Sequence, residues 1–160
     1  MVGGHSSSRG CIEVSTINRV ILHCSTTNEG TDVTAAMIRA WHKDRGWSDI
    51  GYHYIVRLDG TVESGRPINK RGSHVRGHNK DSIGICYVGG LDSNGHAKNT
   101  MTAQQRRSIE TLCRSLCTAL NKPLTLHGHS EFTRKDCPSF KVSDTFPELE
   151  SWMKAPWGSA

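Results

Sequence analysis

Between Leu124 and Phe140 the chain reads Leu-Thr-Leu-His-Gly-His-Ser-Glu-Phe-Thr-Arg-Lys-Asp-Cys-Pro-Ser-Phe, which gathers His127, His129, Lys135 and Cys137 in one short segment. Neutral imidazole and thiolate are both zinc ligands, and catalytic zinc sites take three protein ligands while leaving a position for water. Ser130, Thr133 and Asp136 lie between His129 and Cys137, so a loop, not one helix face, must bring the two together. Two ligands do not complete such a site. The best third candidate is His23, which ends the apolar run Val20-Ile-Leu. With 9 histidines and 6 cysteines among 160 residues, spacing alone states a hypothesis that the surrounding elements must support.

Those elements alternate between strands and helices. Arg19 to Ser25 reads as a buried strand carrying His23 near its end. Thr31 or Asp32 can cap a helix in which Ala36, Met37, Ala40 and Trp41 recur at helical spacing, with Gly46 ending it. His42 on that helix reads as a packing or surface residue. Tyr52 to Arg57 and Thr61 to Ser64 flank Leu58-Asp-Gly60 as a hairpin. Arg66 to Lys80, with His74 and His78, reads as a long surface loop, the kind of segment that carries binding residues on a rigid scaffold.

Ser82 to Val88 is a second apolar strand. Thr102 and Gln105 match a capping box opening a helix with Ile109, Leu112, Cys113, Leu116, Cys117 and Leu120 on one face, and Pro123 closes it. Leu124 to Leu126 returns as a strand that delivers His127 and His129 into the loop. Asp144 to Lys154 reads as a last helix with Phe146, Leu149 and Trp152 inward. The alternation predicts a single α/β domain, a central mixed β-sheet flanked by helices.

At 160 residues the chain can bury a core without disulfides. Cys24 and Cys86 sit in apolar strands, and Cys113 and Cys117 share a helical stripe, so buried thiols explain them better than bridges. The formal charge of +5 suits an anionic partner. No block of consecutive Lys or Arg occurs, so a solvated basic surface is expected and no nucleic-acid partner. No apolar run approaches the roughly 18 residues of a membrane span, so no membrane insertion is expected. Met1 to Gly10 is small and polar and does not read as a secretory signal. Residues 1–16 are expected to be a flexible arm, 17–154 the domain and 155–160 a tail.

In this order, Leu22-His-Cys-Ser25, Gly51-Tyr-His-Tyr-Ile-Val56, Gly72-Ser-His74 and His129 with Lys135-Asp-Cys-Pro-Ser-Phe140 resemble the type 2 class of zinc-dependent N-acetylmuramoyl-L-alanine amidases. That family includes short phage endolysins and animal peptidoglycan recognition proteins, and the resemblance covers residues 17 to 153. It implies one zinc held by His23, His129 and Cys137, with Tyr52 and Lys135 catalytic and His74 and Asn79 flanking a substrate groove. It implies bacterial peptidoglycan as the partner, and a cytoplasmic pool that reaches the wall after release. Some relatives use the N-terminus to inhibit a phage RNA polymerase; the Gly/Ser-rich arm here does not match, so that role is not carried over.

The implied reaction is hydrolysis of an unactivated amide. A cation or phenol beside the carbonyl stabilises the developing oxyanion, roles that suit Lys135 and Tyr52. His127 or His53 could hold a ligand in its tautomer. Two other readings stand beside the enzyme: a non-catalytic peptidoglycan-binding module and a polymerase-binding regulator. Recognition proteins that lack the cysteine ligand bind without cleaving, so the presence of Cys137 favours the enzyme. The Gly-x-Ser-x-Gly turn of serine hydrolases does not occur.

Overall fold

The computed structural model describes residues 11–155. Strand β1 (Arg19–Cys24) lies parallel to both β5 (Ser82–Tyr87) and β7 (Thr125–Gly128), inside a five-stranded sheet ordered β4-β3-β5-β1-β7 whose middle strand is β5. β3 (Tyr54–Val56) pairs parallel with β5 and antiparallel with β4 (Val62–Ser64), so the expected hairpin closes one edge of a mixed sheet. A separate two-stranded ribbon joins β2 (Thr27–Asn28) to β6 (Gly90–Leu91).

Successive strand residues face opposite sides of a sheet, and β1 uses both sides. Val20, Leu22 and Cys24 enter the larger core with Ile83, Ile85 and Tyr87 of β5. Helix α2 (Ala103–Leu120) covers that face with Ile109, Cys113, Leu116 and Cys117. Ile21 and His23 are thereby turned to the other side, where His23 pairs in register with Cys86. There a smaller core of Val33, Ala35, Ile38, Ile50, Ile55, Cys86 and Val88 seats helix α1 (Ala35–Asp44). Continuous apolar runs are what strands covered on both faces require.

The caps show where local chemistry decided the ends. The Thr102 hydroxyl accepts from Gln105 N at 3.0 Å and Gln105 Oε1 accepts from Thr102 N at 2.9 Å, the expected box. Gln105 is fully buried, and its Nε2 donates to Val56 O and Val88 O, tying the helix to the ends of β3 and β5. α1 is capped by Thr34, whose hydroxyl accepts from Met37 N, and not by Thr31 or Asp32. Ala35, Ile38 and His42 are buried, while Met37 and Trp41 are each 40% exposed, so the stripe read from the sequence is the outer face.

The last helix is broken. α3 (Val142–Thr145) and α4 (Pro147–Lys154) meet at Phe146, because a residue before proline is disfavoured in the helical region. Val142, Phe146, Leu149 and Met153 are the buried positions; Trp152 lies at the core's edge, with the Arg114 guanidinium 4.5 Å above its ring. Cys24, Cys86, Cys113, Cys117 and Cys137 are thiols outside any disulfide. Residues 11–16, assigned to the arm, are docked: Cys11 bridges to Lys70 and Val14–Thr16 forms a 3-10 turn. The rest of the arm, and residues 156–160, lie outside the described residues.

Candidate metal centre and cleft

Three segments far apart in the chain deliver three ligating side chains to one point. His23 comes from the end of β1, His129 from the turn after β7, and Cys137 from the loop beyond it. Their donor atoms all lie within 4.8 Å of one another, and His23 Nδ1 is 3.8 Å from Cys137 Sγ. Donors about 2.0–2.3 Å from a tetrahedral zinc stand about 3.5 Å apart, so small side-chain shifts would close this set on an ion. Burial holds both imidazoles below the usual histidine range, with the His74, His129 and His53 rings adding at His23 and the Lys135 charge adding at His129. Both are therefore neutral at neutral pH, the form that ligates. Cys24 and Cys137 sit against each other, and the Cys24 thiol together with burial pushes the Cys137 thiol above its ordinary range, opposed by the Cys24 amide N–H 3.2 Å from Cys137 Sγ. A bound cation would supply the charge that deprotonates a coordinating thiol. Two imidazoles and a thiolate fit a borderline-soft divalent cation.

The loop that carries Cys137 is fastened on both sides. Cys137 O accepts from Ser130 N at 2.7 Å, the Tyr87 hydroxyl donates to Pro138 O at 2.7 Å, and the Ser139 hydroxyl donates to Gly90 O at 2.9 Å. Gly128 leaves room for it, since a Cβ there would stand 3.0 Å from the Pro138 ring.

Beside His129 and Cys137 opens a cleft of about 320 Å³, lined also by Trp41, Arg45, Tyr52 and Lys135. Its charged lining is entirely cationic. Tyr52 stands just before β3 with its ring 5.0 Å from that of His23. Burial, reinforced by the Cys86 and Cys137 sulfurs, raises its phenol above the ordinary range, so it stays protonated and can donate. Lys135 is exposed on the same rim.

His74 and Asn79, expected beside a groove, do not line the cleft. His74 is 9% exposed, with Nδ1 2.8 Å from His23 Nε2 and Nε2 3.2 Å from Ser82 Oγ. Asn79 Oδ1 accepts from His74 N and Val75 N at 2.9 and 2.8 Å, folding the loop inward. Arg66 completes that fold by donating to Ile50 O and Asp49 O, so the 66–80 loop is partly interior. His53 and His127 do not touch the donors. His53 Nε2 meets Lys70 O and its Nδ1 accepts from Gly84 N; His127 is held by Glu131 and Thr125. Trp41 and Arg45 were not anticipated as lining residues. Their spacing in and just after α1 held the signal, but the apolar stripe pointed Trp41 at the core.

The fold and donor set define a class: a single-domain amide hydrolase built around a His-His-Cys site at the end of an interior strand. The chain belongs to the N-acetylmuramoyl-L-alanine amidase family, whose sequence pattern matches residues 13–140. It is 39% identical over 137 residues to the endolysin of Enterobacteria phage K11, covering 86% of this chain and 85% of that one. It is 43% identical over 123 residues to the endolysin of Escherichia phage T7, covering 77% and 81%. Among solved structures, the N-acetylmuramoyl-L-alanine amidase LysC from Clostridium intestinale superposes with a TM-score of 0.71 at 33% identity, covering 86% of this chain and 89% of that one.

Proposed function

We propose that this chain is a zinc-dependent peptidoglycan amidase of the phage endolysin kind. It hydrolyses the bond between N-acetylmuramic acid and the L-alanine of the stem peptide. The observation that carries the reading is the trio His23, His129 and Cys137, gathered within 4.8 Å, with His129 and Cys137 lining a cleft, in a chain of this family. One zinc per chain, held by those three residues, would polarise the scissile carbonyl and lower the pKa of water.

The chain's own residues do the rest. The neutral Tyr52 phenol donates a hydrogen bond toward the carbonyl oxygen, and the Lys135 ammonium stands beside the negative charge that develops there. Trp41 on α1 and Arg45 just after it form the wall along which the stem peptide lies. The catalytic unit spans 17–154, with the docked residues 11–16 against it. Bacterial peptidoglycan is the partner this reading requires; it needs neither nucleic acid nor membrane insertion, and among the described residues no helix is long and apolar enough to cross a membrane. The similarity to phage endolysins supports action on the wall after release from the producing cell.

The test is digestion of purified cell walls, with and without a zinc chelator, followed by mass spectrometry. New N-terminal L-alanine that disappears on chelation is expected. New reducing sugar ends with intact lactyl-alanine bonds would overturn the assignment, as would full activity after metal removal.

A further inference from the structure

We propose that His74 and Ser82 form a proton-ordering relay that holds His23 in its ligand-competent tautomer, making them positioning residues for the metal site. The assignment follows from counting protons. The Ser82 hydroxyl has a single proton, and Ser82 Oγ lies 2.6 Å from His78 O, which can only accept. That proton therefore points at His78. Ser82 Oγ meets His74 Nε2 at 3.2 Å with a lone pair, so His74 Nε2 carries its ring's proton.

His74 is buried against the His23 and His53 rings, where an imidazolium would be a costly buried charge, and a neutral imidazole has one N–H. His74 Nδ1 is thus bare and accepts from His23 Nε2 at 2.8 Å. The same count leaves His23 Nδ1 without a proton, and that is the nitrogen 3.8 Å from Cys137 Sγ. One hydroxyl on β5 thereby fixes which nitrogen of a β1 histidine faces the site.

The slot is shaped for this ring. A Cβ at Gly84 would stand 2.7 to 2.9 Å from His74 ring atoms, and one at Gly72 only 2.6 Å from His74 Cδ2. Ser82 and Gly84 share a face of β5 by strand alternation, so one strand supplies both the acceptor and the clearance. Asn79, gripping the amides of His74 and Val75, sets the backbone from which the ring descends.

The proposal rests on the metal reading, and the test separates the two. In the metal-free wild-type protein, ¹⁵N-histidine correlation spectra should show His23 and His74 both protonated on Nε2. Ser82→Ala and His74→Leu should mix the His23 tautomers and weaken zinc binding by about 10- to 100-fold, measured by chelator competition. His74→Asn, whose Oδ1 can accept where Nδ1 did, should restore affinity close to wild type. A wild-type His23 protonated on Nδ1 would refute the relay, and that spectrum needs no variant to fold. Unchanged zinc affinity in folded Ser82→Ala, or no rescue in folded His74→Asn, would also overturn it. A wild-type chain that binds no zinc would overturn the metal reading, and with it the purpose of the relay, whatever the tautomers.

Discussion

His42 allows a pH effect to be sized from its surroundings. Its ring packs against Trp47 with centroids 4.4 Å apart and against Tyr52 at 5.5 Å, and its Nδ1 accepts from Gly51 N at 2.9 Å. Burial, then the positive charges of Arg45 and Arg66, depress its pKa from 6.5 to about 4. An unfolded chain takes up this proton near pH 6.5 and the folded chain only near pH 4. Stability is therefore complete above that upper value and is lost as the pH falls toward the lower one. Between pH 7 and 4.5, linkage for this one group gives a loss of about 2.4 kcal/mol. His42→Asn keeps an acceptor for Gly51 N and removes the titration. Urea unfolding across that range should show the variant's stability falling by about 2.4 kcal/mol less than the wild type's. His23, His53, His74 and His129, also depressed, titrate in both proteins and cancel in the difference. Parallel pH profiles would refute the reasoning.

Three further outcomes follow from the cleft. Lys135→Ala and Tyr52→Phe should each lower kcat, by about 10²–10³ if each removes one oxyanion-stabilising group, while zinc content by mass spectrometry stays at wild type; loss of zinc in either would show a ligand-holding role instead. Cys137→Ser should bind zinc far more weakly and sediment with purified walls without solubilising them, and continued wall cutting by this variant would contradict the ligand assignment. Trp41→Ala removes an aromatic ring 40% exposed on the outer face of α1, so it should raise KM on wall fragments with little change in melting temperature. A drop of several degrees with KM unchanged would make Trp41 a packing residue.

The sheet and the meeting of His23, His129 and Cys137 were legible because each rests on strong local signals. Apolar runs marked β1 and β5, and His23 stood at a strand end where topology could use it. α1 was harder. Met37 and Trp41 repeat at helical spacing as well as Ile38 and His42 do, and only tertiary packing of Ala35 and Ile38 on Ile50, Ile55 and Val88 decides which face is inside. The break at Phe146 had its signal in Pro147, which the apolar spacing of Phe146, Leu149 and Trp152 outweighed. The place of His74 was out of reach. It depends on Gly72 and Gly84 clearing one volume from two segments and on Ser82 arriving from a strand, and no periodicity encodes such a meeting. His53 and His127 looked equally suited to that task; their partners turned out to be Lys70, Gly84, Glu131 and Thr125.

β1 also obeys a parity rule. Val20, Leu22 and Cys24 belong to one side of the sheet, Ile21 and His23 to the other. Removing a single residue from within the strand would exchange the sets downstream of the cut, pressing an imidazole into hydrocarbon and turning Leu22 toward the cleft. Removing two neighbouring residues would preserve the sides and shorten the strand. Length changes here are thus tolerated by evenness more than by size, and lineages that drift in this segment should do so by substitution or in pairs. The six residues Arg19–Cys24 act as a frame in which core and chemistry cannot be edited separately.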